Sequence, residues 1–385
     1  MSQPRSSRAE LLQSLTETSP GTSMGRLLRK FWHPVSTADA VVKGKARSIR
    51  IMGEDLTLYR GESGKPYLVS GWCAHRLTRL HTGWVEGEEV RCIYHGWKYD
   101  GTGQCTQMPA EKPGLEKTVK ISAYPVREYG GFIFAYLGEG EAPEFVLPRK
   151  DVAERSDRLI FARQQTWPCN WFQTVENSLD AVHVSFVHQK GKIGPFGNAV
   201  TSAIPALEYL ETDAGIRQIA TRGPGNVRIS DWTFPNNNHI IVPSAFKEDP
   251  WLDLIIWMVP NDDHHTTRFQ LYSVPRMDEA RNKRILDHFQ KYSSYNPTDH
   301  HDALFNDIYP DEPLFELTNA QDYVAAIGQG PIANRVDERL GASDSGVALL
   351  RRIFIREMEA LRGGTVQKVW RPLEEPEELP IQGVV

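Results

Sequence analysis

Cysteine is scarce in this chain: Cys73, Cys92, Cys105 and Cys169 are the only four in 385 residues. That is too few for the disulfide framework of a small secreted protein and fits a reducing compartment. Long apolar runs are missing too. No uninterrupted stretch of about 18 apolar residues occurs, and the opening MSQPRSSRAELLQSL has no apolar signal core, so a cytoplasmic protein without a membrane segment is expected. There is no GxGxxG fingerprint of a dinucleotide site and no C-x4-C-x2-C run of a plant-type ferredoxin. A net charge of −5 offers no basic surface to nucleic acid or anionic lipid. Repeats and low-complexity tracts are absent. What is left is an ordinary globular composition, 40% hydrophobic and 24% charged, long enough for two domains or one large one.

The most informative stretch is CAHRLTRLHTGWVEGEEVRCIYHGWKYDGTGQC, which begins at Cys73. Cys73 and His75 make one C-x-H pair; Cys92 and His95 make a C-x2-H pair after sixteen intervening residues. Two thiolates and two imidazoles in two mixed pairs match a Rieske [2Fe–2S] centre, where two cysteines hold one iron and two histidines the other. Each loop then supplies one ligand to each iron. Gly71, Gly83, Gly87, Gly96, Gly101 and Gly103 punctuate the stretch, as tight turns around a cluster require. A Cys2His2 zinc site is the alternative, but such sites usually open with C-x2-C or C-x4-C. Trp72, Tyr94 and Trp97 flank the ligands and are expected to shield the cluster from water.

Residues 1–45 read as a helical lead-in, with helices from Ala9 to Leu15 and again from Met24. From 46 to 145 the pattern becomes short alternating runs, such as Ser48 to Met52 and Gly131 to Leu137, with Asp100-Gly101 as a hairpin signal. This describes an antiparallel β domain carrying the cluster loops. The polar connector from Glu139 to Pro148 marks the boundary with a third segment, 146–385. There, Trp251 to Val259 and Thr266 to Val274 read as strands, and Asp278 to Tyr292 as a helix. Val347, Leu350, Phe354, Met358 and Leu361 make one apolar stripe on a helix from Gly346 to Leu361. Strands bunched before helices predict an α+β class.

A second constellation lies in WPCNWFQTVENSLDAVHVSFVH, from Trp167 to His188. On one helix, Asn177, Asp180 and His183 would sit three apart and share a face. His188 follows His183 by five, about 140° further round, so both imidazoles reach one point only if the helix is distorted or ends near His188. A one-electron cluster needs an acceptor, and two histidines plus a carboxylate with open positions is the signature of oxygen-activating non-haem Fe(II). Candidate third ligands are Asp302, Asp307, Asp311 and Asp322. His264-His265 is read as a turn before a strand, His300-His301 as a loop and Cys169 as a small buried hydrophobe. Phe234, Asn236, His239 and Trp257 are read as strand packing rather than pocket lining.

With both constellations in place, the chain resembles the oxygenase α subunits of Rieske non-haem iron oxygenases, the phthalate-dioxygenase type above all. The resemblance runs from PGTSMGRLLRKFWHP through the cluster loops to QDYVAAIGQGPI. It implies that Asp180, His183 and His188 form the family's D-x2-H-x4-5-H iron motif and that Asp322 is the third ligand. Asn177 would be a polar neighbour of the iron and Asp180 an electron bridge, hydrogen-bonded to His183 and to the cluster ligand His95 of an adjacent subunit. It further implies a helix-grip catalytic domain, a homotrimer and a small aromatic substrate. Cofactors would be the [2Fe–2S] cluster, a mononuclear Fe(II) and O2, with NAD(P)H and flavin on a separate reductase, or on a ferredoxin plus reductase. Dihydroxylation, monohydroxylation and O- or N-demethylation share this metal set. A Rieske electron carrier with a non-catalytic second domain is the reading from another class; it leaves the residues after 145 without a role.

Overall fold

The computed structural model describes residues 7–148, 150–189, 201, 203–246, 248–293, 296–309, 317–363 and 367–371. The chain divides into two compact units. One gathers the residues up to Glu17, Val146–Met258 and those from Asp263 on; the other gathers Thr18–Phe145 and Val259–Asp262.

Ser7 caps α1 (Arg8–Ser14) through a reciprocal capping box with Glu10, and Thr22 caps α2 (Ser23–Leu28). The lead-in is helical only in part, because the chain then enters β1 (Trp32–Thr37), buried from His33 on. Next come β2 (Ala46–Ile51), β3 (Glu54–Arg60), β4 (Pro66–Ser70), β5 (Trp84–Glu86), β6 (Glu89–Arg91), β7 (Lys98–Tyr99), β8 (Cys105–Gln107), β9 (Ala123–Tyr124), β10 (Val126–Tyr129) and β11 (Phe132–Tyr136). They build three antiparallel sheets, β1-β11-β10, β2-β3-β4-β9 and β5-β6-β7-β8. The Asp100-Gly101 signal marks the β7–β8 turn: Asp100 Oδ1 accepts from the backbone N of Thr102 and Gln104 at 2.8 and 3.0 Å. Residues 137–148 form neither helix nor strand.

The larger unit continues with α3 (Lys150–Glu154), β12 (Arg158–Trp167), α4 (Trp171–Ser178), α5 (Val184–Val187), β13 (Ala206–Glu211), β14 (Gly215–Thr221), β15 (Val227–Thr233), β16 (Asn237–Val242), β17 (Leu252–Asp262), β18 (His265–Pro275), α6 (Glu279–Lys291), α7 (His301–Phe305), α8 (Leu317–Ile327) and α9 (Ser345–Gly363). Its sheet has seven strands in the order β12-β18-β17-β16-β15-β14-β13. Helix α9 buries Val347, Leu350, Phe354 and Met358 as its apolar stripe predicts. Phe354 meets Trp171, Phe172 and Trp232 edge-on, at 5.5, 5.4 and 5.9 Å between centroids. Helices packed on antiparallel sheet give the α+β class expected.

Two local readings are corrected. His300-His301 is helical rather than loop: Asn296 caps a 3-10 turn, Pro297–His300, which runs into α7. The segment from Asn177 to His183 is not one helix. Helix α4 stops at Ser178, and Asp180 Oδ1 accepts from the backbone N of Val182 and His183 at 3.0 and 3.2 Å. That side-chain turn replaces the helical hydrogen bonds and restarts the chain at α5.

Candidate metal centres and the cavity beside one of them

The two cysteine loops have the same backbone. Cys73 N donates to Thr78 O and Leu77 N to Cys73 O; Cys92 N donates to Trp97 O and Gly96 N to Cys92 O, all at 2.8–3.1 Å. The fourth residue after each cysteine is left-handed, Leu77 at φ 55° and Gly96 at φ 74°. These matching turns bring the His75 and His95 rings within 4.4 Å. The thiols are buried, His75 is half-buried and His95 is exposed. Burial pushes the Cys92 thiol up, against the backbone N–H of Tyr94, and the neighbouring Cys73 adds to the rise. His75 Nδ1 is shut off from solvent and makes no hydrogen bond. Paired thiols, paired imidazoles and an orphaned ring nitrogen fit the donor set of a Rieske cluster.

Trp97 stacks on His75 at 4.6 Å and 7° and is buried. Tyr94 and Trp72 are exposed in this chain, so of the three flanking aromatics only Trp97 shields as expected. Tyr99 was not singled out by the sequence. Its oxygen accepts from Ala74 N at 3.1 Å and lies 3.3 Å from Cys73 Sγ. The phenolic proton is therefore left for the sulfur.

The second group is His183, His188 and Asp322, whose ligand atoms all lie within 4.8 Å of one another. His183 opens the single turn of α5 and His188 closes it, so the helix ends where the spacing required. Both Nε2 atoms lie 3.4 Å from Asp322 Oδ1, which is buried without a hydrogen bond of its own. Burial disfavours the Asp322 anion, but His188 and His183 outweigh it and hold the carboxyl far below the usual range. Burial likewise opposes charge on His183, and Asp322 with Asp180 overcomes it. Two imidazoles and one carboxylate converging in a buried place fit a divalent iron with open positions. Asp302 instead meets His301 Nδ1 at 2.9 Å on the surface, Asp307 is a left-handed residue outside the group, and Asp311 lies outside the described residues.

Long-range ties bring Asp322 to the histidines. Asn170 N donates to Pro331 O at 2.8 Å, and Gln173 Nε2 donates to Ala326 O and Gly330 O at 2.9 and 3.1 Å. Gln173 Oε1 also accepts from Ala333 N at 2.9 Å. The GQGPI segment thereby straps α4 to the end of α8. Gln321, beside Asp322, lies 3.1 Å from His188 Nδ1 through its Oε1, so that ring donates there and leaves Nε2 for a metal. Asn177 Nδ2 is 3.5 Å from His183 Nε2. Asp180 Oδ2 stands 3.8 Å from His183 Nδ1, beyond hydrogen-bond reach, because the other oxygen holds the turn.

A cavity of about 130 Å³ opens beside these three residues. Its apolar wall includes Ala181, Val184, Ile240, Val242, Leu254 and Ile256. None of Phe234, Asn236, His239 and Trp257 lines it: alternation turns His239 and Trp257 to the other face of the sheet, and Phe234 and Asn236 lie in the turn between β15 and β16. Three arginines do: Arg222, Arg228 and Arg268. Burial, reinforced by Arg222, holds the Arg228 guanidinium down at about 10, and burial lowers the other two as well. Arg228 and Ser230, two apart on β15, share the face that looks into the cavity, and nothing in the sequence singled out either.

Comparison with known proteins shows the family and the fold. A family model described as Rieske [2Fe-2S] domain matches residues 31–129. The oxygenase subunit of 5,5'-dehydrodivanillate O-demethylase from Sphingobium sp. (strain NBRC 103272 / SYK-6) is 33% identical over 369 residues, 92% of this chain and 81% of that protein. The oxygenase subunit of phthalate 4,5-dioxygenase from Pseudomonas putida is 30% identical over 372 residues, 89% of this chain and 84% of that one. Among solved structures, the oxygenase in an oxygenase–ferredoxin complex of carbazole 1,9a-dioxygenase has the same fold, with TM-score 0.66 at 20% identity. The match covers 92% of this chain and 97% of that one.

Proposed function

We propose that this chain, which belongs to the oxygenase subunits of Rieske non-haem iron systems, hydroxylates a single-ring aromatic compound with O2. The observation that carries the substrate reading is the cavity beside His183, His188 and Asp322. At about 130 Å³ it is close to the roughly 150 Å³ that takes up one benzene in an apolar core. When bound, the cluster supplies single electrons and the mononuclear iron activates O2. His183, His188 and Asp322 would hold that iron from one side, and Gln321 would fix the tautomer of His188. Ile240, Leu254 and Ile256 keep that wall of the cavity dry. The 33% identical relative is named an O-demethylase, which favours, as a second reading, hydroxylation at an aryl O-methyl group.

The cluster would be held by Cys73, His75, Cys92 and His95, with 46–145 as its domain and 146–385 as the iron domain. The compact unit whose main stretch ends at Phe145 and the family match within it support the boundary at 145/146, while that match begins at 31, inside the expected lead-in. Electrons would come from an NAD(P)H-dependent reductase carrying the flavin, directly or through a ferredoxin. Asp180 would bridge cluster and iron between the subunits of a homotrimer; its partly exposed carboxylate and the exposed His95 ring leave both open to a neighbour. A cytoplasmic place is supported by the finding that no described helix is long and apolar enough to cross a membrane.

Iron counting tests the proposal. An oxygenase holds about three irons per chain, and an electron carrier about two. Two irons, with no oxygenated product from benzoates, phenols and aryl methyl ethers, would sink it.

A further inference from the structure

The turn that carries Asp180 is tied to the sheet by a residue outside both metal groups. Helix α4 ends at Ser178 with Leu179 as its cap; Leu179 is buried, and a carbonyl at a helix end has no partner within the helix. Tyr209 on β13 supplies the donor, its hydroxyl reaching Leu179 O at 2.7 Å. Gln218, opposite Tyr209 across the β13–β14 pair, donates through Nε2 into the same phenolic oxygen at 3.2 Å. The phenolic proton is thereby left for Leu179. The ring is held as closely as its tip. A Cβ on Gly346, at the start of α9, would lie 2.3 Å from Tyr209 Cε1, so glycine there lets the helix rest against the ring.

On the other side of Asp180, Ala181 O accepts from Arg222 Nη2 at 3.1 Å, so the backbone is held one residue before Asp180 and one residue after it. Between those ties Asp180 Oδ1 is spent on the N–H groups of Val182 and His183. Oδ2 stands 3.8 Å from His183 Nδ1, which is buried and makes no hydrogen bond. With the backbone fixed, rotation of the carboxylate alone closes that gap; with the turn adrift, it does not. We propose that Tyr209 is a positioning residue for electron transfer, its hydroxyl, locked by Gln218, fixing the turn that presents Asp180. This rests on the bridging role given to Asp180 above. The one electron lost by the reduced cluster is the one gained at the mononuclear site, and Tyr209 changes only the rate. It touches neither ligand set and acts through Leu179.

Tyr209→Phe keeps the ring against Gly346 and removes only the hydroxyl, and two measurements on the metal-loaded full chain test it. Hydrogen–deuterium exchange, read by mass spectrometry over residues 180–187, rises about fivefold, the scale of one lost hydrogen bond, while α6 exchanges as before. Single-turnover oxidation of the pre-reduced cluster slows by about fivefold or more at unchanged iron content. In an Asp180→Asn background the same substitution slows oxidation no further, because a residue that acts only through Asp180 has nothing left to position; a general loss of packing would slow both backgrounds alike. Gly346→Ala keeps the hydroxyl, pushes the ring aside and gives the same pair of changes, so it carries the test if Tyr209→Phe does not fold. Oxidation at wild-type speed in the folded variants overturns the proposal, and so does unchanged exchange or equal slowing in the two backgrounds. Asp180→Asn at wild-type speed defeats the bridging role itself; a slow Asp180→Asn beside an unaffected Tyr209→Phe defeats the Tyr209 proposal alone.

Discussion

Removing one hydroxyl, by Tyr99→Phe, should lower the reduction potential of the cluster without dissolving it. Tyr99 is fully buried among Cys73, Cys92 and Cys105, so a phenyl ring keeps the packing. Ala74 N donates into the phenolic oxygen at 3.1 Å, and the remaining partner is Cys73 Sγ at 3.3 Å. The proton therefore points at sulfur. A hydrogen bond to a charged group is worth about 1.5–3 kcal/mol. If roughly half of that arises only when the cluster gains its electron, the reduced form loses about 0.75–1.5 kcal/mol. One electron and 59 mV per tenfold convert this to a fall of about 33–65 mV. Ala74 is exposed, so water can take the N–H that Tyr99 gives up. Spectroelectrochemical titration of the visible cluster bands reads the shift. A variant with an intact spectrum and an unchanged or higher potential would refute the assignment of the proton to Cys73.

Asp322→Ala should remove about one iron of three and abolish turnover, with the cluster spectrum intact, because the two ligand sets share no residue; retained iron and activity would move the third ligand elsewhere. Gln321→Leu should weaken the mononuclear iron about 10–100-fold in chelator competition while leaving the cluster unaffected, since His188 loses the acceptor that orients it. Asp180→Asn should keep both metals yet slow oxidation of the pre-reduced cluster in a single turnover to a small fraction of the wild-type rate. For pH, the signal is His288, held near 4 by burial, with Lys291 and Arg163 adding. The unfolded chain binds that proton first, at its ordinary value near 6.5. Its contribution is full above about 6.5 and is lost as pH falls from there towards 4, so Tm should drop over that window less steeply in His288→Gln than in the wild type.

The candidate cluster ligands were legible because every one lies within a single run of loops, and the C-x-H and C-x2-H spacings point to that chemistry by themselves. His183 and His188 also lie in one run, but only the upstream cysteine–histidine pairs and the family resemblance made that run a candidate iron motif. Their geometry was not. A helical wheel places Asn177, Asp180 and His183 on one face, but the Asp180 carboxylate captures two backbone N–H groups and breaks the helix there. A side chain competing for the backbone is invisible to periodicity. The same capture explains why Asp180 stands 3.8 Å from the His183 ring rather than bonded to it.

Asp322 shows the other limit. Spacing alone does not distinguish it from Asp302 or Asp307, and only the resemblance of QDYVAAIGQGPI to the family picked it out; what brings it to the histidines is contact made at long range. Gln173 reaches over to Ala326, Gly330 and Ala333, so the segment after α8 fixes how that helix faces α4. Once α8 is set, consecutive residues point about 100° apart. Gln321 can then address Nδ1 of His188 while Asp322 meets Nε2 of both histidines. The late GQGPI stretch contributes no candidate ligand, and yet the meeting of His183, His188 and Asp322 depends on it as a strap. Arg222 and Arg228 were hidden for a related reason. Alternation says which strand residues share a face, and only the assembled sheet with α4, α5 and α8 beside it says that the face looks onto His183, His188 and Asp322.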